Sequence, residues 1–228
     1  MNFVMEGRES DSPYVEMIWR GQAGNDYAPT CPADSHWNML LLRQNGKVRI
    51  SVEGPTTQAI HKTHTEGTEW LVIKFKLGTF MPSFPVRNLV DADVVLSEAP
   101  RRSFWLHDST WQFPDYENVE TFVSRLVHDD VLRREPVVSA ILQDQSQGMS
   151  SRTVRRRFLL ATGLTPKTIA LIERANQAAA LLEQGISILD VAYQAGYADQ
   201  SHMTRSLKHF IGLTPAQIVR IRSESQPE

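Results

Sequence analysis

Cysteine occurs once in the 228 residues, at Cys31. An intrachain disulfide is thereby excluded, as is a structural zinc site built from four cysteines, and the chain suits a reducing compartment. Long apolar runs are missing as well. No stretch approaches the ~18 residues of a membrane-spanning helix, and the opening MNFVMEGRESDSP has Glu and Asp where a signal peptide has a basic start and an apolar core. A cytoplasmic protein with no membrane partner is expected. Nor is there an excess of positive charge: 24 Lys and Arg against 26 Asp and Glu give a formal net charge of −2, which by itself argues against nucleic-acid binding. What remains is a soluble globular composition, 41% hydrophobic and 22% charged, with enough chain for one or two domains.

The charge is unevenly placed. Residues 1–134 hold 14 basic and 18 acidic side chains (net −4), whereas residues 135–228 hold 10 and 8 (net +2). Four of those ten lie in RTVRRR, Arg152 to Arg157. A local patch of this kind can bind phosphate while the rest of the molecule stays acidic.

The hydrophobic period changes along the chain. Met39 to Gly54 forms two short apolar runs around Asn45-Gly46, a hairpin signal. Trp70 to Gly78 is a further strand candidate, and Pro and Gly recur at 54–55, 78, 82 and 85, which predicts a β-rich barrel or sandwich. Then Val119, Phe122, Val123, Leu126 and Val127 mark one face of a helix within 117–132. The boundary is expected near Arg133 to Pro136, so that residues 1–134 form a sensor or dimerisation domain and residues 135–228 an all-α domain.

In that second half the tetrapeptide GLTP occurs twice, at Gly163 and Gly212, an offset of 49 residues. Gly supplies the left-handed turn past a helix end, Thr caps the next helix and Pro suits its first turn. The match extends backwards, pairing Phe158 with Leu207, Arg156 with Arg205, Val154 with Met203 and Ser150 with Asp199. The helices predicted are Val137 to Asp144, one capped by Ser150, one from Pro166 to Gly185, one opened by the Ser187–Asp190 capping pair, one capped by Asp199, and a last one from Pro215. Val191 and Ala192, the corner Gly196 and the capped helix after it make a helix-turn-helix. In QSHMTRSLKHF, Met203, Leu207 and Phe210 should face inward, leaving Gln200, Ser201, His202, Thr204, Arg205 and Lys208 outward. In the first copy Val154 and Phe158 face inward and Ser151, Arg152, Arg155 and Arg156 outward.

Ile186 to Pro215, ISILDVAYQAGYADQSHMTRSLKHFIGLTP, resembles the signature of the AraC/XylS transcription regulators along its whole length. MSSRTVRRRF with GLTP fits the first unit of that family. VVSAILQDQSQG is more polar than the family's first helix, and Arg157 stands where an apolar residue is usual. The first half resembles the cupin-like sensor domains of shorter members through SPYVEMIWR, CPADSHW and FKLGTFMPSFPV. The resemblance implies two helix-turn-helix units on one linker helix, with recognition helices in successive major-groove segments about one turn (~34 Å) apart. It places Ser151, Arg152, Arg155 and Arg156, with Gln200, Ser201, His202, Thr204, Arg205 and Lys208, toward double-stranded DNA, and makes Arg174 of the linker helix an internal brace.

Further candidate partners are RNA polymerase, a small-molecule effector and a second copy of the chain. Trp37, Trp70 and Phe75 are candidate lining residues for an effector pocket, although a small β core needs the same residue types. His36, His61 and His64 lack the close pairing with a following Glu that a cupin metal site would show, so no metal, cofactor or catalytic residue is expected. The competing reading is a cupin-type metalloenzyme with an attached helical domain.

Overall fold

The computed structural model describes residues 3–26, 28–143 and 150–225. In chain order the elements are β1 (Phe3–Glu9), β2 (Val15–Ala23), β3 (Thr30–Cys31), β4 (Asn38–Gln44), β5 (Lys47–Glu53), β6 (Ile60–His61), β7 (Glu69–Phe75), β8 (Thr79–Phe80), a 3₁₀ turn (Val86–Asn88), β9 (Asp93–Val95), β10 (Glu98–Ala99), β11 (Ser103–Leu106) and β12 (Ser109–Gln112). Then follow α1 (Val119–His128), β13 (Arg133–Arg134), α2 (Pro136–Leu142), α3 (Ser151–Thr162), α4 (Pro166–Glu183), α5 (Ile188–Gln194), α6 (Gln200–Phe210) and α7 (Pro215–Ser225). A β-rich first part thus precedes a helical second part. The first predicted helix ends at Leu142, and Asp144, with the rest of that segment to Met149, lies outside the described residues. None of the described helices is long and apolar enough to cross a membrane.

The chain divides into two compact units. One gathers Met1–Ala28, His36–Pro55 and Thr63–Thr165, the other Pro29–Ser35, Thr56–Lys62 and Pro166–Glu228. The helices α2 and α3 therefore belong to the same unit as the main sheet, and two short segments of the first half belong with α4 to α7.

In the first unit, six antiparallel strands run in the order β1-β2-β7-β4-β5-β9. The β4–β5 corner is the expected Asn45-Gly46 turn, with φ of 49° and 75°. Both residues need the left-handed region there, which is why a two-residue hairpin favours this pair. Strand alternation sends Ile18, Met39, Leu41, Ile50, Val52, Leu71, Ile73 and Phe75 into one core. Across that core lie the three-stranded sheet β10-β11-β12, through Phe104, Leu106 and Trp111, and α1, through Val119, Phe122, Val123 and Leu126. The apolar stripe of α1 read from its period is thus spent on the core of its own unit.

The outer side of α1 is fastened by charge. Arg8 of β1 donates to both carboxylate oxygens of Glu120, from Nη1 to Oε1 at 2.5 Å and from Nη2 to Oε2 at 2.8 Å, and Ser10 Oγ adds a third bond at 2.9 Å. The guanidinium groups of Arg8 and Arg20 both lie over the Tyr116 ring, 5.0 and 4.2 Å from its centroid. Hydrogen bonds from Arg8, and to a lesser degree Ser10, outweigh partial burial and hold the Glu120 carboxyl at about 2 instead of the ordinary 4.5. A carboxyl lowered in the folded state stabilises it fully above the unfolded value, and that contribution fades as pH falls toward the folded value. Glu120→Gln should therefore lower Tm at pH 7, by the equivalent of about 1 kcal/mol or less for so exposed a pair. In thermal melts the gap to wild type should close between pH 4.5 and 2.

Candidate nucleic-acid interface

The second helix-turn-helix is built from α5 and α6 within the second unit. Ser187 opens α5: its Oγ accepts from Asp190 N at 3.2 Å and donates to Asp190 Oδ2 at 2.5 Å. Val191 and Ala192 are buried, and the corner turns at Gly196, where φ is 68°. Asp199 Oδ1 accepts from His202 N at 2.6 Å and starts α6. Met203, Leu207 and Phe210 point into the unit. Tyr197, in the corner, is a second fixing point: its hydroxyl is 3.0 Å from Ser206 Oγ of α6, and the Arg174 guanidinium of α4 lies 4.5 Å from its ring centroid. Stacking on an aromatic face suits a planar guanidinium. Arg174 is accordingly an internal brace between the long helix and the corner.

On the outer side of α6, Gln200, Ser201, Arg205 and Lys208 are exposed, with His202 and Thr204 half-buried beside them. These side chains are not equally available. Thr204 Oγ1 donates to Gln200 O at 2.8 Å, Lys208 Nζ donates to Gly212 O at 3.1 Å, and the His202 ring meets the Tyr197 ring edge-on at 5.2 Å. Gln200, Ser201 and Arg205 form the open stripe. After α6 the chain turns at Gly212, φ 83°, and Thr214 begins α7 as a full capping box with Gln217: Thr214 Oγ1 accepts from Gln217 N, and Gln217 Oε1 accepts from Thr214 N.

The first helix-turn-helix repeats the local chemistry inside the first unit. Ser150 Oγ accepts from Thr153 N at 3.3 Å to start α3, and Gly163, φ 73°, ends it. Phe158, Ala161 and Thr162 are buried, Val154 and Arg157 half-buried, and Ser151, Arg152, Arg155 and Arg156 exposed. Under the 49-residue offset Ser151, Arg152, Arg155 and Arg156 stand where Gln200, Ser201, Thr204 and Arg205 stand in α6. Both helices thus present an i, i+1, i+4, i+5 stripe of polar and basic groups, the arrangement that allows phosphate clamping and bidentate reading of guanine by Arg.

Arg157 has an explanation that the sequence pattern withheld. Its Nε donates to Glu135 Oε2 at 2.9 Å and its Nη2 to Oε1 at 2.7 Å, while Oε1 also accepts from Val137 N to cap α2. Glu135 is only 8% exposed. One carboxylate thereby ties the start of the first helix to the side of the second. The unit also supports this pair through β8, which pairs with β13 just before Glu135, and Glu135 N donates to Gly78 O at 2.7 Å.

The remaining candidates are placed as follows. Trp37 and Phe75 stack on each other in the core at 3.9 Å, and Trp37 Nε1 donates to Thr79 O at 2.6 Å. Trp70 is half-buried and stacks on His64 at 5.1 Å. His61 Nδ1 is 3.0 Å from Thr30 Oγ1, and His36 is half-buried. Among the described residues no three His, Cys, Asp or Glu side chains meet as a metal site. A cleft of about 430 Å³ opens elsewhere in the first unit, between the β11–β12 hairpin and the end of α1. It is lined by Trp105, Asp108, Ser109, Thr110, Trp111, Arg125 and Asp129, residues that no sequence motif marked.

Two capped helices around a glycine corner, with the second presenting a polar and basic stripe, define a helix-turn-helix DNA-binding fold. Comparison with known proteins agrees: residues 145–221 match the family model described as "Helix-turn-helix domain". The chain is 44% identical over 64 residues to an uncharacterized HTH-type transcriptional regulator, YbfI, of Bacillus subtilis, covering 27% of this chain and 23% of that one. It is 35% identical over 88 residues to the HTH-type transcriptional regulator RipA of Corynebacterium glutamicum, covering 38% and 27%. Among solved structures, ToxT from Vibrio cholerae aligns over 96% of this chain and 98% of that one at 14% identity, with a TM-score of 0.39, a likeness too slight to carry an argument. Residues 145–221 thus carry a helix-turn-helix domain, similar in sequence to that of these transcriptional regulators. It spans about a quarter of the length of these two curated relatives.

Arg157→Leu strands a buried carboxylate, which should cost about 1–3 kcal/mol. Tm should fall, and Glu135→Gln added to Arg157→Leu should recover part of the loss. A single variant as stable as wild type would show the pair to be idle.

Proposed function

We propose that this protein is a cytoplasmic, sequence-specific double-stranded DNA-binding transcriptional regulator whose first half answers to a small molecule or a partner. The observation that carries the reading is the duplicated stripe, Ser151, Arg152, Arg155 and Arg156 on α3 and Gln200, Ser201, Thr204 and Arg205 on α6. Each stripe sits on the second helix of a helix-turn-helix, opposite its buried side, and is open except at Thr204, which is half-buried with its hydroxyl on Gln200 O. The family match over 145–221 and the names of the curated relatives support it. His202 and Lys208 belong to the same interface at its edges, His202 beside the corner and Lys208 near the helix end. A metalloenzyme, the competing reading, needs a catalytic group, whereas a regulator accounts for both repeats at once.

The direct test is selection of bound duplexes from a random library by the purified chain, followed by binding measured against salt. An enriched sequence supports the proposal. No enrichment, with binding to all duplexes alike, would reduce the protein to a non-specific binder. On the selected duplex, Arg205→Ala should cost ~1–3 kcal/mol and relax preference at one base pair; an equal loss on every sequence makes Arg205 a phosphate contact. Replacing Arg152, Arg155 and Arg156 together by Gln should make the slope of log K against log salt shallower by up to ~3. An unchanged slope would take α3 off the DNA.

A further inference from the structure

The end of α6 is held by residues from the first half of the chain. A helix leaves its last carbonyls without intrahelical donors. Here Leu207 O accepts from Ile211 N and Gly212 N, but His209 O accepts from Ala59 N at 2.9 Å and Phe210 O from Ala33 N at 2.6 Å. Both donors sit in the segments Pro29–Ser35 and Thr56–Lys62, which belong to the same compact unit as α6.

Those two segments form a strap with bonds of its own. β3 and β6 pair Thr30 with His61 and Cys31 with Ile60, and Lys62 N donates to Pro29 O at 3.1 Å. Further along, Thr56 N donates to Asp34 O at 2.9 Å, while Thr56 Oγ1 accepts from Asp34 N at 3.0 Å. The strap is fastened to α4 as well: Ser35 Oγ donates to Glu173 Oε1 at 2.8 Å, and Asn176 Nδ2 donates to Ala33 O at 3.4 Å. It lies so close to the turn after α6 that a Cβ on Gly212 would stand 2.5 Å from Thr30 Cγ2 and 3.1 Å from Ala59 Cβ. Gly212 therefore serves two needs, its positive φ and the approach of the strap.

We infer that this strap is a positioning element for DNA reading, with the backbone N–H groups of Ala33 and Ala59 fixing the C-terminal end of α6 and so the presentation of Gln200, Ser201 and Arg205. The inference rests on α6 being a reading helix. Helix α6 is fixed at its start by Asp199, along its buried side by Met203 and Leu207, and at its corner by Tyr197. The strap supplies the remaining anchor. Its two segments follow β2 and precede β7 directly in the chain, and β2 and β7 are neighbours in the main sheet.

The experiment uses the full chain. Amide hydrogen exchange without DNA should show Ala33 and Ala59 protected. Ala33→Pro and Ala59→Pro, which remove the two donors, should speed exchange in the last turn of α6 and weaken binding to the library-selected duplex by roughly tenfold each, the scale of one lost hydrogen bond. Thr56→Val is nearly isosteric and loosens the strap without touching either donor, so it should shift exchange and affinity in the same direction by a smaller factor. It decides the matter if a proline variant does not fold. Unprotected amides at Ala33 and Ala59 in wild type would overturn the inference. So would folded proline variants, or Thr56→Val in their place, that bind with unchanged affinity and sequence preference. A wild-type chain that enriches no duplex would remove the reading function itself, and the exchange data would then report a strap with no DNA role.

Discussion

A helix that is to read DNA must leave its polar side open, so whatever fixes it has to act through its buried side and its two ends. Both copies of the repeat obey this constraint, but with different means. In α3 the buried side is Phe158 and Ala161, the start is Ser150, and the added hold is the Glu135–Arg157 pair. In α6 the buried side is Met203 and Leu207, the start is Asp199, and the added holds are the Tyr197 corner and the strap. The copies thus differ in their supports and in three of the four stripe residues, while the stripes keep the same spacing.

The supports explain why the two helix-turn-helix units sort into different compact bodies. Near α3, Gly163 has no Cβ because one would stand 3.0 Å from Val90 Cγ2 and 3.1 Å from Val86 O, atoms that adjoin the 3₁₀ turn of the β-rich unit. Near α6, the corresponding Gly212 makes room for Thr30 and Ala59. The same glycine, needed for its left-handed conformation in both copies, admits a different neighbour in each.

The features legible in the sequence were those written in side-chain identity and period. Asn45-Gly46, the caps Ser150, Ser187 and Asp199, the inward Met203 and Leu207, and the α1 stripe all depend on what the residue is. The strap escaped because Ala33 and Ala59 act through backbone N–H groups, which any residue but proline supplies. Arg157 was visible only as a departure from pattern, since its partner lies in the turn before another helix. Trp37 and Phe75 show the limit of composition: their aromatic character fits a ligand pocket or a core equally, and their 3.9 Å stack in the β-rich core is a matter of tertiary packing.

The strap also sets an order of events during synthesis. Ala33 and Ala59 are made before His209 and Phe210, and at roughly 5–20 residues per second the 150 residues from Ala59 to His209 take about 8–30 s. Closing so long a loop is entropically unfavourable until the partners are held close. The two strap segments pair with each other through β3 and β6, and those bonds involve no residue of α6. The last turn of α6 thus takes two of its hydrogen-bond donors from residues made earlier in the chain.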